Sequence, residues 1–120
     1  QLGCSTKLLS YQEHDLIFSK TSHLPHVISY ALTESLFNSL NDKTFTFSGG
    51  SLEDYTRIAS SDPTMWKDIF LSNNENIINS INEFEKSLSR MKQLIINKDE
   101  EGLVEFLSKI KALRDNSIEK

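Results

Sequence analysis

The chain has 120 residues, of which 38% are hydrophobic and 25% are charged, and its formal net charge is −4. Such a chain, without clustered Lys and Arg, is a poor binder of nucleic acids or anionic membranes, because phosphate affinity comes from concentrated positive charge. Only four glycines and two prolines are present, which favours long helices over many short strands and turns. We therefore expect one all-α domain over residues 1–120.

Cysteine usage and the chain start give three further expectations. Cys4 is the single cysteine, which excludes a disulfide framework and fits a reducing, cytoplasmic setting. Neither an apolar run long enough to cross a membrane nor a secretory signal pattern is present. The chain begins with Gln1, which suggests a piece of a longer protein, and residues 1–10 are interpreted as a lead-in segment.

A strongly periodic segment from Ser10 or Tyr11 to Leu40 predicts the first long helix. Pro25 removes a backbone donor, so this helix should kink or begin anew near Ser22 to His23. One apolar stripe is expected to face the core: Leu24, Val27, Ile28, Ala31, Leu32 and Leu36. A second face is expected to be covered by another subunit, another domain or a ligand, and it carries His23, His26, Tyr30, Thr33 and Phe37.

The three histidines of the chain raise the question of a zinc site. His23 and His26 lie within one helical turn, and His14 could be a third ligand. A regular helix, however, places His14 and His23 on opposite sides, and no HExxH pattern completes a set. We therefore expect no metal. Two interpretations of the histidines remain open. They could be structural, held by hydrogen bonds under a neighbouring element, or they could form a ligand site.

The segment after the first helix contains a connector and a second helix start. Thr44 to Phe47 is predicted to be an extended connector whose phenylalanines pack on the core. Ser51 is the predicted N-cap of the next helix, with Asp54 completing an arrangement like a capping box.

The same region could bind an anion. Gly49 and Gly50 would let backbone N–H groups at a helix start approach a bound group. Arg57, one turn later, could grip a carboxylate in two places. The alternative for Arg57 is a surface ion pair with Glu53 or Asp54, which precede it by four and three residues.

Asp62 and Pro63 are the clearest helix start in the chain, as N-cap and first helical residue. The apolar stripe that follows, in which Asn73 is the one interruption, predicts a helix to about Asn97, with a length of about 50 Å if the helix is continuous. Trp66 could be a core residue or part of a pocket. Asp99 is expected to cap a last helix, and the polar tail from Arg114 is expected to fray.

Four motifs keep the order and spacing of a known family over most of the chain. They are HD at His14 and Asp15, SHLPH at residues 22–26, GGSLEDYTRIA at 49–59 and SDPTMWKDIFLSN at 61–73. With ALRD beginning at Ala112, they make the chain resemble the C-terminal, all-helical dimerisation domain of prephenate and arogenate dehydrogenases. The resemblance implies an all-α helical bundle with long helices that forms a homodimer.

The resemblance also implies part of an oxidoreductase of tyrosine biosynthesis, which decarboxylates prephenate or arogenate oxidatively with NAD or NADP. In that family the cofactor and a catalytic histidine belong to an N-terminal Rossmann domain that this sequence lacks, so no catalytic residue is expected here. Tyrosine is a possible inhibitor.

The resemblance implies a substrate pocket in this domain. Arg57 corresponds to the arginine that binds a substrate carboxylate, and His26 to a histidine near the substrate's side chain. The residues expected to line or brace the same pocket are His23, Gly50, Asp54 and Trp66. The alternative is a helical protein-interaction module with no small-molecule role.

Overall fold

The computed structural model describes residues 10–46 and 49–118, and no strand occurs among them. These residues form six α-helices: α1 (Tyr11–Phe18), α2 (Leu24–Leu40), α3 (Gly50–Arg57), α4 (Pro63–Ser72), α5 (Asn74–Ile96) and α6 (Glu100–Ile118). The prediction of an all-α fold is confirmed. The expectations for Cys4, the lead-in segment and Phe47 fall outside the described residues. Each helix in the described ranges is too short or too polar to span a lipid bilayer.

The first helical stretch begins and breaks as predicted. The Ser10 hydroxyl accepts a hydrogen bond from the Glu13 backbone N–H, and the Glu13 carboxylate accepts one from the Ser10 N–H, both at 3.1 Å. A π-helical segment, Ser19–His23, joins α1 to α2 immediately before Pro25. Because proline lacks an N–H and crowds the preceding turn, the wider π turn is the form that the predicted break takes.

The two faces of α2 differ from the prediction. The stripe expected in the core is at best half-buried, and Ala31 in it is exposed. The second face is packed by the chain itself, since His26 stacks on Trp66 and the Tyr30 ring contacts Phe70, with ring centres 6.2 Å apart. The expectation of an outside cover for this face is therefore wrong where α4 lies. Periodicity identified both faces but could not say which one α4 would cover.

The structures of the connector and of the start of α3 also differ from the prediction. Residues 41–43 form a 3₁₀ turn and residues 44–46 another turn, so this part of the connector is not extended. Phe45 contacts Phe37 with ring centres 5.6 Å apart, yet it is 41% exposed. The N-cap of α3 is Gly49, with φ −92° and ψ 177°, and no side chain caps it. Ser51 lies inside the helix because the extended Gly49 backbone lets α3 begin two residues earlier than predicted.

The long helix is two helices. Asp62 caps α4 as predicted, accepting a hydrogen bond from the Met65 N–H at 3.2 Å, with Pro63 as the first helical residue. At Asn73 the backbone leaves the helical region, with φ −122° and ψ 30°. The predicted continuous helix of about 50 Å is therefore wrong, and the 23 residues of α5 span about 35 Å.

The chain divides into two compact units, residues 1–81 and 82–120. In the first unit the buried apolar residues are Trp66 and Ile77, and the most deeply buried side chains are three serines. Ser19 and Ser80 meet hydroxyl to hydroxyl at 3.3 Å, and Ser29 donates a 2.8 Å hydrogen bond to the Tyr55 carbonyl. Small hydroxyl groups thus occupy the closest helix contacts.

In the second unit, α5 ends in a Schellman motif. The Asp99 N–H bonds to the Leu94 carbonyl, the Lys98 N–H bonds to the Ile95 carbonyl, and Lys98 has a left-handed φ of 51°. Asp99 then caps α6 as predicted, accepting a hydrogen bond from the Gly102 N–H at 3.0 Å. Helix α6 continues to Ile118, so fraying from Arg114 is wrong for residues 114–118.

Candidate functional site

An aromatic cluster joins α2 to α4. The His26 ring lies flat on the Trp66 indole, with ring centres 3.6 Å apart and an interplanar angle of 18°. The His23 ring meets the same indole edge-on, with ring centres 6.0 Å apart, and the tilted Phe70 ring contacts the indole with ring centres 5.5 Å apart. Both histidines project from the junction of the π-helical segment and α2, so the irregular turn before Pro25 determines their position. Three of the predicted pocket residues are thus brought together.

The break between α4 and α5 supplies a polar anchor for this cluster. Asn73 is 8% exposed, and its side-chain amide donates to the Asp15 carbonyl at 2.8 Å and meets the His23 Nδ1 atom at 3.2 Å. Its amide oxygen accepts a 2.9 Å hydrogen bond from Asn76. Buried amides that satisfy several partners fix local geometry, because leaving any of those groups unpaired is costly.

The environment of His23 disfavours its charged form. Burial is the main cause that lowers the pKa of His23 from its ordinary 6.5, and repulsion by His26 and His14 lowers it further, while Asp15 acts in the opposite direction. His14 lies at the surface, with its Nδ1 atom 3.4 Å from the Asp15 carboxylate. His23 is therefore mostly neutral at pH 7.

Arg57 and Asp54 line an open cleft of about 690 Å³ between residues of α2 and α3. Its remaining lining residues are Thr33, Phe37, Phe45, Glu53, Thr56, Ala59 and Ser60. The alternative expectation of an Arg57 ion pair is wrong within the described residues, since neither Glu53 nor Asp54 lies within ion-pair distance of it. Arg57 is exposed.

Gly50 is the first residue of α3, one turn before the carboxylates of the cleft. A Cβ atom at Gly49 or Gly50 would meet nothing within 4 Å. The helix start is thus open, and close packing inside the described chain does not account for either glycine.

The predicted site residues fall into two groups. His23, His26 and Trp66 form the aromatic cluster, whereas Arg57 and Asp54 line the cleft, with Gly50 at the start of α3. None of the cluster residues is among the cleft-lining residues within the described ranges. No group of three or more metal-ligating side chains occurs in the part of the chain that the structure describes.

Sequence reasoning missed the role of Asn73. The available signal was a polar residue interrupting an apolar stripe, but its partners lie 58 and 50 residues away along the chain. Phe70, whose ring contacts both the Trp66 and the Tyr30 rings, was not singled out from the sequence either.

The fold and these motifs agree with a known family. The family described as "Prephenate dehydrogenase, dimerization domain" matches residues 10–109. The chain belongs to this prephenate dehydrogenase dimerisation-domain family. It is 33% identical over 109 residues to the prephenate dehydrogenase of Bacillus subtilis and 32% identical over 118 residues to the cyclohexadienyl dehydrogenase of Zymomonas mobilis.

Solved structures give the same picture. A prephenate dehydrogenase from A. aeolicus, in complex with hydroxyphenyl propionate and NAD⁺, shares 44% identity and a TM-score of 0.83 over 90% of this chain. The arogenate dehydrogenase of Synechocystis has a TM-score of 0.82 over 92% of this chain at 20% identity, which supports the fold alone.

These relatives are much longer than the described domain. The chain matches 89% and 95% of its own length to the Bacillus and Zymomonas proteins but covers only 29% and 40% of theirs. It likewise covers 38% of the A. aeolicus structure and 41% of the Synechocystis one. The chain therefore corresponds to one part of the proteins that it resembles.

Proposed function

We propose that this chain is the dimerisation and substrate-binding part of a prephenate dehydrogenase of tyrosine biosynthesis. The reaction would convert prephenate, or arogenate as its amino analogue, to the 4-hydroxyphenyl product with loss of CO₂ and transfer of a hydride to NAD or NADP. The family match over residues 10–109 carries this proposal. The lone cysteine of the chain fits a cytoplasmic enzyme.

The part assigned to Arg57 is to bind a substrate carboxylate. Prephenate is a dianion, and a guanidinium can hold a carboxylate through two parallel hydrogen bonds. The lack of an ion pair to Arg57 among the described residues supports this role, because no partner has to be displaced. The relative crystallised with hydroxyphenyl propionate binds a molecule that also carries a carboxylate.

The carboxylates of Glu53 and Asp54 limit where an anion could bind in this cleft. Both carboxylates line the same wall as Arg57, so they repel a dianion wherever it approaches them. A substrate carboxylate would therefore bind through the guanidinium and the open start of α3 at Gly50, whose N–H groups favour negative charge. Asp54 would orient neighbouring groups and would not contact the carboxylate.

The nicotinamide cofactor would be held by a part of the protein outside this chain. Gly49 and Gly50 do open a helix, but no strand precedes them in residues 10–46, so this described part of the chain lacks the strand–loop–helix unit that binds dinucleotides. When bound, the cofactor supplies the hydride acceptor. The residues of this chain would hold and orient the substrate, and tyrosine, which shares the aromatic ring and a carboxylate, is a candidate inhibitor.

Dimerisation is supported by the apolar surface of the second unit. Within residues 82–118 no side chain is buried, and large apolar residues on α5 and α6 are exposed by about half or more. They include Leu88, Ile95, Leu107, Ile110 and Leu113. A soluble monomer does not usually leave so many large apolar side chains in water, so a second copy of the chain is the proposed cover.

The substrate assignment is tested by Arg57→Ala in the full-length enzyme. Loss of charge-assisted hydrogen bonds should raise the KM for prephenate by about 10- to 100-fold, with the KM for the nicotinamide cofactor unchanged. Steady-state kinetics with each substrate varied in turn measure both values. An unaltered KM for prephenate would reject the role of Arg57.

Glu53→Gln is the matched control for that experiment. It lies in the same cleft wall and also removes one charge, but the charge removed repels the substrate. The KM for prephenate should fall or stay level. A rise comparable to that of Arg57→Ala would mean that the cleft responds to any disturbance, and the assigned contact would be withdrawn.

The dimer is tested by analytical ultracentrifugation of Ile95→Lys, which places a charge on the exposed apolar surface of α5. We expect the wild-type protein to sediment as a dimer and the variant to dissociate at micromolar concentration. Lys111→Ala, on the exposed face of α6, is the control and should remain dimeric. A monomeric wild type with no affinity for prephenate would favour the alternative of a helical interaction module.

A further inference from the structure

The side-chain amide of Asn73 has its orientation fixed by its partners. A backbone carbonyl can only accept, so the Asn73 group that contacts the Asp15 carbonyl at 2.8 Å must be the NH₂. The amide oxygen on the other side accepts from Asn76 at 2.9 Å. With both ends assigned in this way, the second hydrogen of the Asn73 NH₂ points to the Nδ1 atom of His23.

This orientation determines where the proton of His23 resides. Because Nδ1 accepts from Asn73 at 3.2 Å, a neutral His23 must carry its proton on Nε2. The opposite holds for His26, whose Nδ1 atom lies 2.9 Å from the Ser22 carbonyl and must therefore carry the proton. The two rings, three residues apart and both against Trp66, are held in opposite tautomers.

The free edges of the two rings are therefore chemically different. Among the described residues neither Nε2 atom has a hydrogen-bond partner. The Nε2 of His23 is left as a donor and that of His26 as an acceptor. A neutral imidazole N–H can donate to a substrate oxygen without the free-energy cost of burying a positively charged imidazolium.

We infer that Asn73 is a positioning residue that holds His23 in the Nε2–H tautomer, so that His23 can donate a hydrogen bond to an oxygen atom of the bound substrate. Asn73 does this from the break between α4 and α5, where it is buried and tied to the Asp15 backbone. The role of His23 toward substrate rests on the proposed function, whereas the tautomer assignment does not.

The first test measures the wild-type protein and uses one variant only to assign its signals. In the full-length protein labelled with ¹⁵N-histidine, long-range ¹H–¹⁵N spectra distinguish a protonated from an unprotonated ring nitrogen. The His23 signals are identified by their absence from the spectrum of a His23→Gln protein. We expect an unprotonated Nδ1 at His23 and a protonated Nδ1 at His26, at a pH where both are neutral. A proton on the Nδ1 of His23 would overturn the inference.

The second test changes the donor. Asn73→Asp has nearly the same shape but offers only acceptor oxygens when ionised, so the His23 proton should move to Nδ1. Asn73→Ala removes the donor without adding charge and should leave a mixture of tautomers. Asn74→Asp makes the same charge change at the exposed next residue and should leave His23 unchanged. Wild-type tautomers in both Asn73 variants would overturn the inference.

Kinetics then separate positioning from mere structural support. Asn73→Asp should raise the KM for prephenate by about tenfold, the usual effect of losing a hydrogen bond to a charged group, and should change kcat little. The control Asn74→Asp should have the wild-type KM and kcat. An altered tautomer with an unaltered KM would overturn the substrate contact of His23. If the wild-type enzyme does not oxidise prephenate at all, the proposed function fails, and the spectra alone decide the role of Asn73.

Discussion

Trp66 is the residue on which the first unit depends most heavily for its packing. It is one of only two buried apolar side chains among the described residues, at 8% exposure, and it contacts His26, His23 and Phe70. A tryptophan buries about 150–250 Å², which at about 25 cal/mol/Å² corresponds to about 4–6 kcal/mol. Measured truncations of buried aromatic residues to alanine cost about 3–5 kcal/mol. We therefore expect Trp66→Ala to lower the free energy of unfolding by about 3–5 kcal/mol.

That loss is a large part of the stability of an ordinary domain, which totals about 5–15 kcal/mol. Urea denaturation of the purified protein, followed by far-ultraviolet circular dichroism, measures it. Met65→Ala is the matched control, because Met65 lies next to Trp66 on α4 but is 50% exposed. It should cost at most about 1 kcal/mol. Equal losses in the two variants would refute the claim that Trp66 is the main packing residue of this unit.

Two further predictions concern acid stability and a helix end. Because burial and the other histidines lower the pKa of folded His23 below its unfolded value of 6.5, the unfolded state binds more protons between these two values. Stability should therefore be intact above about pH 6.5, fall as the pH drops toward the folded pKa and then level off, and urea titrations of His23→Gln should lack this component. Lys98 occupies the left-handed position of the Schellman motif that glycine usually fills, so Lys98→Gly should raise the free energy of unfolding by about 0.5–1 kcal/mol in the same assay, whereas a loss would contradict the assigned backbone strain.

The helix boundaries that could be predicted are those with a strong local cause. Asp62 and Pro63 begin α4, and Asp99 caps α6, because an acceptor side chain and a fixed φ act within one turn of their own position. Pro25 likewise predicted a break, and only the form of the break, a π turn, needed the structure.

The features that could not be predicted depend on distant partners. The break at Asn73 is stabilised by the Asp15 carbonyl and by His23, which are far away in the sequence. The covered face of α2 was unknown for the same reason, since α4 supplies Trp66 and Phe70 to it. Local periodicity reports that a face is apolar or aromatic, but not which neighbour will pack there.

The arrangement of the predicted site residues could not be inferred from the sequence. His23, His26 and Trp66 do meet, whereas Arg57 and Asp54 face a separate cleft. A resemblance transfers residue types by position along the chain, and distances between them follow only from how α2, α3 and α4 pack.

The length of the π-helical segment Ser19–His23 determines how α1 is rotated relative to α2. A π turn accommodates one residue more than an α turn, and each residue of an α-helix corresponds to about 100° of rotation. Deleting one residue here would make the stretch a regular α-helix and would rotate α1 about the helix axis by about 100°. The Asp15 carbonyl would then turn away from Asn73, so a change in the length of this segment should break that hydrogen bond.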